Sequence, residues 1–494
     1  MTEPVLLLHP DDTVGVALRP LAAGDAVRGV RVRGPVPAGH KVALRDVAPG
    51  AAVTKYGQFI GSATTGIVAG EHVHTHNLGY EEGPRNAVTA PAAPPTTPTE
   101  SLAYQGFRRA DGRVGTRSYI GILTSVNCSA TVAKLIAEAC RGMPDDGVDG
   151  VVALTHGTGC GLADDGDGLA ILRRTLAGYA RHPNIGGLLV LGLGCEVNQL
   201  DGIDLPDDRP VVPLTIQELG GTAATVRAGV AAVAAMRAEV AATRRTDVPV
   251  SELVLGLQCG GSDGYSGLTA NPALGVAADL LVAHGGTAIL GETPEIYGAE
   301  HLLAARATDD GVVRRLMTRV DWWRGYVDRH GGSLDHNPSP GNRAGGITTI
   351  LEKSLGAVAK GGASPLTAVY EYAEPVTARG LVFMDTPGYD PVSATGMVAG
   401  GATVLAFTTG RGSVFGCRPA PSIKLSTNSE LYRRMPDDID LDCGGIADGS
   451  AGLADLGRRV FDLVLDVASG RRTRSEDLGF GAEEFVPWQL GAVM

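Results

Sequence analysis

Three histidines at alternate positions, His72, His74 and His76 in GEHVHTHNLG (residues 70–79), are the first residues whose type and spacing point to chemistry. On a strand, alternate side chains share one face, so three imidazoles would form one surface beside Asn77. Burying imidazole without a partner is costly. That favours metal ligation or proton transfer over packing, with a satisfied surface cluster as the plain alternative. The spacing leaves a ligand set incomplete, so a site shared with another part of the chain is expected.

A second set is made of thiols. Cys128 (TSVNCSA), Cys160 (THGTGCG), Cys195 (GLGCEVNQ) and Cys259 (LQCGGSDG) each follow an apolar, strand-like run and stand among small or polar residues. Ligands bind at the carboxyl ends of parallel strands in open α/β sheets, and glycine lets backbone N–H groups approach an anion. The four cysteines are therefore expected to line one pocket as metal ligands together with His72 and His74. Taken singly, each is also a small residue that tolerates a tight corner.

Polar groups crowd between glycines elsewhere. GGSDGYSGLTANPALG carries Ser262, Asp263 and Asn271; GETPEIYGAE carries Glu292 and Glu295; NPSPGNRAGGITTILEKSLG carries Asn342, Arg343, Glu352 and Lys353; APSIKLSTNSE carries Lys424, Thr427 and Asn428. These suit a ligand dense in hydroxyls and carboxylate, although Gly, Asn and Ser also build ordinary turns. Ser262, Asp263, Asn271, Glu292, Asn342, Arg343, Thr427 and Asn428 are the expected substrate contacts. His74, His76, His156 (in THGTGCG) and Lys424 are the expected proton-transfer groups. TGRGSVFG (409–416) is not the dinucleotide fingerprint, and neither a Walker motif nor GxSxG occurs.

The elements that must position these groups fall into blocks. Residues 1–88 alternate short apolar runs with turns and read as a small all-β module ending in the histidines. TAPAAPPTTPTE lies in a Pro/Thr-rich linker, 89–105. Beyond it, runs such as SYIGILTSV, GGLLVLGLG and ATVLAFTTG alternate with helical patterns, as in SATVAKLIAEACR with Val132, Ile136 and Ala139 on one stripe. That is α/β architecture with parallel sheets. A main domain is expected over 106–375 and a Rossmann-like subdomain over 376–494, opened by a βαβ unit at 377–412.

Composition bounds the partners. The 494 residues are too many for one core. A net charge of −12 argues against a nucleic-acid partner, which would want a basic face. No run of about 20 apolar residues offers a membrane span. MTEPVLLLHPDD lacks a basic leader, and seven cysteines read as reduced thiols, so a cytoplasmic protein is expected.

The chain resembles the altronate dehydratase/galactarate dehydratase family. The resemblance rests on GEHVHTHN, GRVGTRSYIGILTSVNC, THGTGCG, RHPNIGGLLVLGLGCEVNQ, LQCGGSDGYSGLTANPALG, GGTAILGETPEIYGAE, NPSPGNRAGGITTILEKSLG, TTGRG and IKLSTNSE, which span nearly the whole chain. It implies an N-terminal SAF-type (β-clip-like) domain joined to a large α/β body. It also implies a sugar-acid hydro-lyase acting as a homo-oligomer, expected to be a dimer, with iron(II) or manganese. Two departures stand out: Gln258 where such enzymes often carry Glu, and RGSVFGCRPAPSIK. The family includes sulfolactate sulfo-lyases, so sulfite elimination is one alternative and a non-catalytic sugar-acid-binding protein another. Thiolates at strand ends leave open an iron–sulfur cluster with one free iron position.

Overall fold

The computed structural model describes residues 3–83, 101–143 and 147–491. The 89–100 part of the expected linker lies outside them. The N-terminal module is built of short antiparallel strands. Val5–Leu6, Val14–Ala17, Lys41–Ala43 and His72–Val73 form one sheet, and Ala52–Lys55, Gln58–Ala63 and Leu78–Gly79 another. The histidine stretch is a strand only at His72–Val73. It then turns, with the Asn77 and Leu78 N–H groups donating to the His74 carbonyl at 3.0 and 2.9 Å.

Two parallel sheets make the body. The smaller has the spatial order Gly150–Leu154, Tyr119–Thr124, Ile185–Gly192, Val211–Thr215. Helices Ala130–Ala139 and Thr222–Ala242 pack on one face of it, and Asp167–Ala180 on the other. Helix Ala130–Ala139 buries Val132, Ala133 and Ile136 as its periodicity requires, but Ala139 is exposed and Cys140 ends the stripe instead.

The larger sheet has seven strands: Leu366–Tyr370, Gly380–Met384, Thr287–Leu290, Val254–Cys259, Val404–Thr409, Ser422–Ser426 and Leu441–Asp442. The boundary expected at 375/376 falls inside this sheet, because Leu366–Tyr370 and Gly380–Met384 pair in parallel across it. The 377–412 βαβ unit therefore extends a sheet already begun at Val254. Chain order reverses between Val254–Cys259 and Val404–Thr409. This is the switch point at which strand-end loops part and leave a crevice.

The β module is packed into the body. Val14, Val53, Ile60 and Val73 share one core with Ile296, Ile350, Leu351 and Leu355. Gly264 is needed for this fit, since a Cβ there would stand 1.9 Å from the Gly39 carbonyl oxygen. Among the described residues no helix is long and apolar enough to cross a membrane.

Candidate active site at the strand ends

The central strand Val254–Cys259 ends on Cys259, whose thiol is buried beside two carboxylates, Glu292 and Glu295. One ligand atom from each lies within 4.8 Å of the others, the one such group among the described residues. Glu292 follows strand Thr287–Leu290 and takes a left-handed backbone, φ 67°, with its N–H donating to Thr386 Oγ1 at 2.8 Å. Such a conformation costs a non-glycine residue about 1–3 kcal/mol and persists where the surroundings impose it.

Two buried ammonium groups answer the acids. Lys360 Nζ donates to Cys259 Sγ and Glu292 Oε2, both at 3.0 Å. Lys353 Nζ donates to Glu295 Oε1 at 2.7 Å and Asn337 Oδ1 at 2.5 Å. Burial pushes the Cys259 thiol up to about 12 and Glu292 up to about 8, with Lys360 opposing both. Burial works the same way on Glu295, but Lys353 and then Lys360 hold it below the usual carboxylate value. Burial, then the charge of Glu295, push Asp390 up to about 6. Asp390 comes close only because residue 260 is glycine: a Cβ there would stand 2.2 Å from Asp390 Oδ2.

A cavity of about 430 Å³ opens beside this group. Cys259, Glu295, Lys353, Asp390, Asn337 and Asn342 are among its walls. The volume suits a small ligand. Trp323 closes one side, its Nε1 donating to Asp385 Oδ1 at 2.7 Å. Two larger clefts, about 680 Å³ beside the smaller sheet and about 660 Å³ between the two sheets, do not include the charged group.

The histidines gather although the strand is short. His40, which the sequence did not single out, joins them: ring centroids of His40–His74, His40–His72, His72–His74 and His72–His76 lie 5.0, 5.1, 5.5 and 5.5 Å apart. His40 Nδ1 and His72 Nε2 are 3.0 Å apart. His74 Nε2 lies 2.8 Å from the Arg343 carbonyl, and His40 Nε2 3.3 Å from that of Ala344. The cluster thus sits against residues 343–344, at the end of the short helix Pro340–Ala344, in the segment that presents Asn337, Ser339 and Asn342 to the cavity. Burial holds His40 down at about 4 and, with His40 beside it, His72 at about 3, so the rings are neutral near pH 7. The Thr75 hydroxyl is 3.1 Å from His74 Nδ1.

Other expected contacts scatter. Asp263 is buried and accepts from Thr427 Oγ1 (3.0 Å), Asn428 Nδ2 (3.2 Å) and Ser266 Oγ (3.1 Å), so these groups tie strand ends together. The Ser262 carbonyl accepts from Asn342 Nδ2 at 2.9 Å. Asn271 lies in a helix, bonded to the Gly356 carbonyl and to Thr408. Arg343 turns its guanidinium to Asp335. Lys424 is mid-strand with Nζ on the Phe415 carbonyl, outside the cavity wall. His156, in the smaller-sheet half, uses both ring nitrogens on the Thr124 carbonyl and the Thr158 N–H. Gln258 is in strand Val254–Cys259 and donates to Ser393 Oγ at 2.7 Å. Cys128, Cys160 and Cys195 are exposed at the ends of the smaller sheet's strands. The four cysteines therefore do not line one pocket, because Cys259 belongs to the other sheet.

Sequence reasoning missed Asp390 and Lys360. Lys353 and Lys360 are seven residues apart, two helical turns, which places both on one face. Asp390 follows a strand in TPGYDPVS and opens a helix, the position at which the other acids were sought.

Three family descriptions match in succession: Altronate/galactarate dehydratase SAF domain over 3–81, D-galactarate dehydratase/Altronate hydrolase second domain over 106–241, and D-galactarate/Altronate dehydratase C-terminal over 250–493. Their limits coincide with the β module and the two sheets. The altronate dehydratase of Bacillus subtilis is 35% identical over 483 residues, 96% of each chain. The galactarate dehydratase (L-threo-forming) of Escherichia coli is 37% identical over 489 residues, covering 95% of this chain and 94% of its own. The (2R)-sulfolactate sulfo-lyase of Chromohalobacter salexigens matches in two pieces. Its beta subunit is 34% identical over 394 residues (78% of this chain, 97% of that one), and its alpha subunit 38% identical over 79 residues (14% of this chain, 84% of that one). With three successive domains matched and relatives aligned from end to end, the chain belongs to the altronate/galactarate dehydratase family of lyases.

Proposed function

We propose that this protein removes water from a sugar acid, an altronate-like aldonate or a galactarate-like aldarate, giving a 2-keto-3-deoxy acid. The observation that carries this reading is the buried Cys259, Glu292 and Glu295 group at the switch point, opening on a cavity with polar walls.

The group fits a divalent cation. Glu292 Oε1 is buried with no hydrogen-bond partner, although its other oxygen is engaged. Four acidic groups, counting Asp390, face two ammoniums, so a double positive charge restores balance. One thiolate with two carboxylates suits iron(II) or manganese. Such an ion held by Cys259, Glu292 and Glu295 would supply Lewis-acid stabilisation of the charge that develops on the substrate's carboxylate as the α proton leaves.

The chain's own groups do the rest. Asp390, buried in the cavity wall next to the Cys259 group, takes the α proton as general base. Lys353 meets the carboxylate of the substrate, and Asn337, Ser339 and Asn342 meet its hydroxyls. Lys360 opposes the effect of burial on the Cys259 thiol. The histidine cluster fixes the segment that carries these contacts. The β-hydroxyl leaves as water, taking up the proton held by Asp390, and the enol left behind rearranges to the keto acid. A cytoplasmic homodimer completes the reading.

Sulfite elimination shares the first step. A panel of aldonates, aldarates and sulfolactate, assayed anaerobically with iron(II), separates the two. Keto-acid formation from an aldonate or aldarate is expected. Turnover of sulfolactate alone, or of none, overturns the reading.

A further inference from the structure

Six thiols remain unused by that site, and three of them are exposed. Free cysteine is among the most buried residue types, and Cys140, Cys259, Cys417 and Cys443 are buried here. Cys128, Cys160 and Cys195 are exposed. Each stands just past one of three adjacent parallel strands, Tyr119–Thr124, Gly150–Leu154 and Ile185–Gly192. Chain order reverses between the first and last of these, so the three loops meet at the smaller sheet's own switch point.

The loops are locked to one another. The Asn127 N–H donates to the Thr158 carbonyl at 2.9 Å, and the Asn198 N–H to that of Gly159 at 3.0 Å. Asn198 Nδ2 donates to the Ser125 carbonyl at 3.0 Å, and Ser125 Oγ to Glu196 Oε1 at 2.5 Å. Glu196 also accepts from the Leu193 and Gly194 N–H groups. Gly159, at φ 101°, permits this approach: a Cβ would stand 2.3 Å from the Ser125 oxygen. His156, with both ring nitrogens used, pins the base of its loop. Three exposed thiols on so braced a frame are positioned groups.

We propose that Cys128, Cys160 and Cys195 hold an iron–sulfur cluster, at a site separate from the Cys259 group. Three thiolates from three loops are the soft ligands such clusters take. Their spread argues against a single ion, because only Cys259, Glu292 and Glu295 among the described residues bring three ligand atoms within 4.8 Å. A cubane carries its ligands on separate corners and spans a wider triangle. With three protein ligands, one iron keeps an open position for an oxygen or carboxylate ligand. The start of helix Ala130–Ala139, next to Cys128, favours the negative charge of a thiolate-bound cluster.

The test is anaerobic reconstitution of the full chain with iron(II) and sulfide, reading bound iron, acid-labile sulfide and visible absorption. The wild type is expected to gain a broad absorption, about four sulfides and about five irons per chain, four in the cluster and one at the Cys259 group. Cys128→Ser, Cys160→Ser and Cys195→Ser are each expected to lose it while keeping the wild-type melting temperature. Cys259→Ser, on the other sheet, keeps it. Loading should also protect the three exposed thiols from alkylation. No sulfide uptake by the wild type, equal loading of the triple serine variant, or binding of zinc alone would overturn the assignment. None of these readouts depends on turnover, so the result stands apart from the substrate reading.

Discussion

Glu292 joins an unpartnered buried oxygen to a left-handed backbone, and both features make sense if the residue is held to bind something. Glu292→Gln keeps the shape and removes the charge, so it is expected to leave the fold intact and weaken divalent-cation binding by at least tenfold, measured by anaerobic iron titration. Asp390→Asn is expected to lower kcat by about 10²- to 10⁴-fold, the usual worth of a positioned base, with little change in melting temperature. A variant at full rate would remove Asp390 from proton transfer. At this scale the sequence was half legible. Cys259, Glu292 and Glu295 follow apolar runs and could be marked as strand-end residues. Lys360 and Asp390 matter through neighbours that only the folded chain supplies.

Helix Ile350–Ala357 is the element that joins the halves. Adjacent residues on it face opposite ways: Lys353 reaches the cavity, while Glu352 accepts from Lys41 Nζ at 2.7 Å and Lys55 Nζ at 2.9 Å, both from the β module. All three side chains are at most 2% exposed. Burial opposes ionisation of Glu352, but the two ammoniums hold it well below the ordinary carboxylate range. A carboxylate depressed on folding contributes stability that is fully present above its unfolded value, 4.5, and lost as pH falls toward the folded value. Thermal unfolding followed from pH 7 to pH 3 should therefore show a fall below about 4.5 that Glu352→Gln lacks. At pH 7 the same substitution leaves two buried lysines unpaired and is expected to cost about 3–5 kcal/mol. His74→Ala, by contrast, removes one hydrogen bond to the Arg343 carbonyl, worth about 1 kcal/mol. Its effect should fall on KM more than on stability, through the segment that carries Asn337 and Asn342. The histidine cluster was legible because its members are close in sequence. His40, about thirty residues upstream, joins it only through pairing of Lys41–Ala43 with His72–Val73.

Across the whole molecule, the α/β class and the β module were readable from run lengths and the proline-rich break. The division of the body was not. A βαβ unit at 377–412 looks like the start of a subdomain, yet its strands continue a sheet begun at Val254, and pairing between distant strands leaves no local mark. The sulfo-lyase relative carries its two matches on separate alpha and beta subunits, of 79 and 394 aligned residues. Here residues 1–88 and 101–494 produced as separate chains and mixed are expected to recover activity, while 101–494 alone shows almost none. Full activity of the body alone would leave the β module without a part in the site.

The central claim is that Cys259, Glu292 and Glu295 form the metal-dependent dehydration site. The most direct measurement is a sulfide-free, anaerobic iron(II) titration of the wild type and Glu292→Gln, with bound iron and keto-acid formation read in the same samples. The account predicts that turnover in the wild type rises with about one tightly held ion per chain at this site, and that Glu292→Gln, folded, loses both together. A Glu292→Gln protein that turns over at the wild-type rate without bound iron would contradict it.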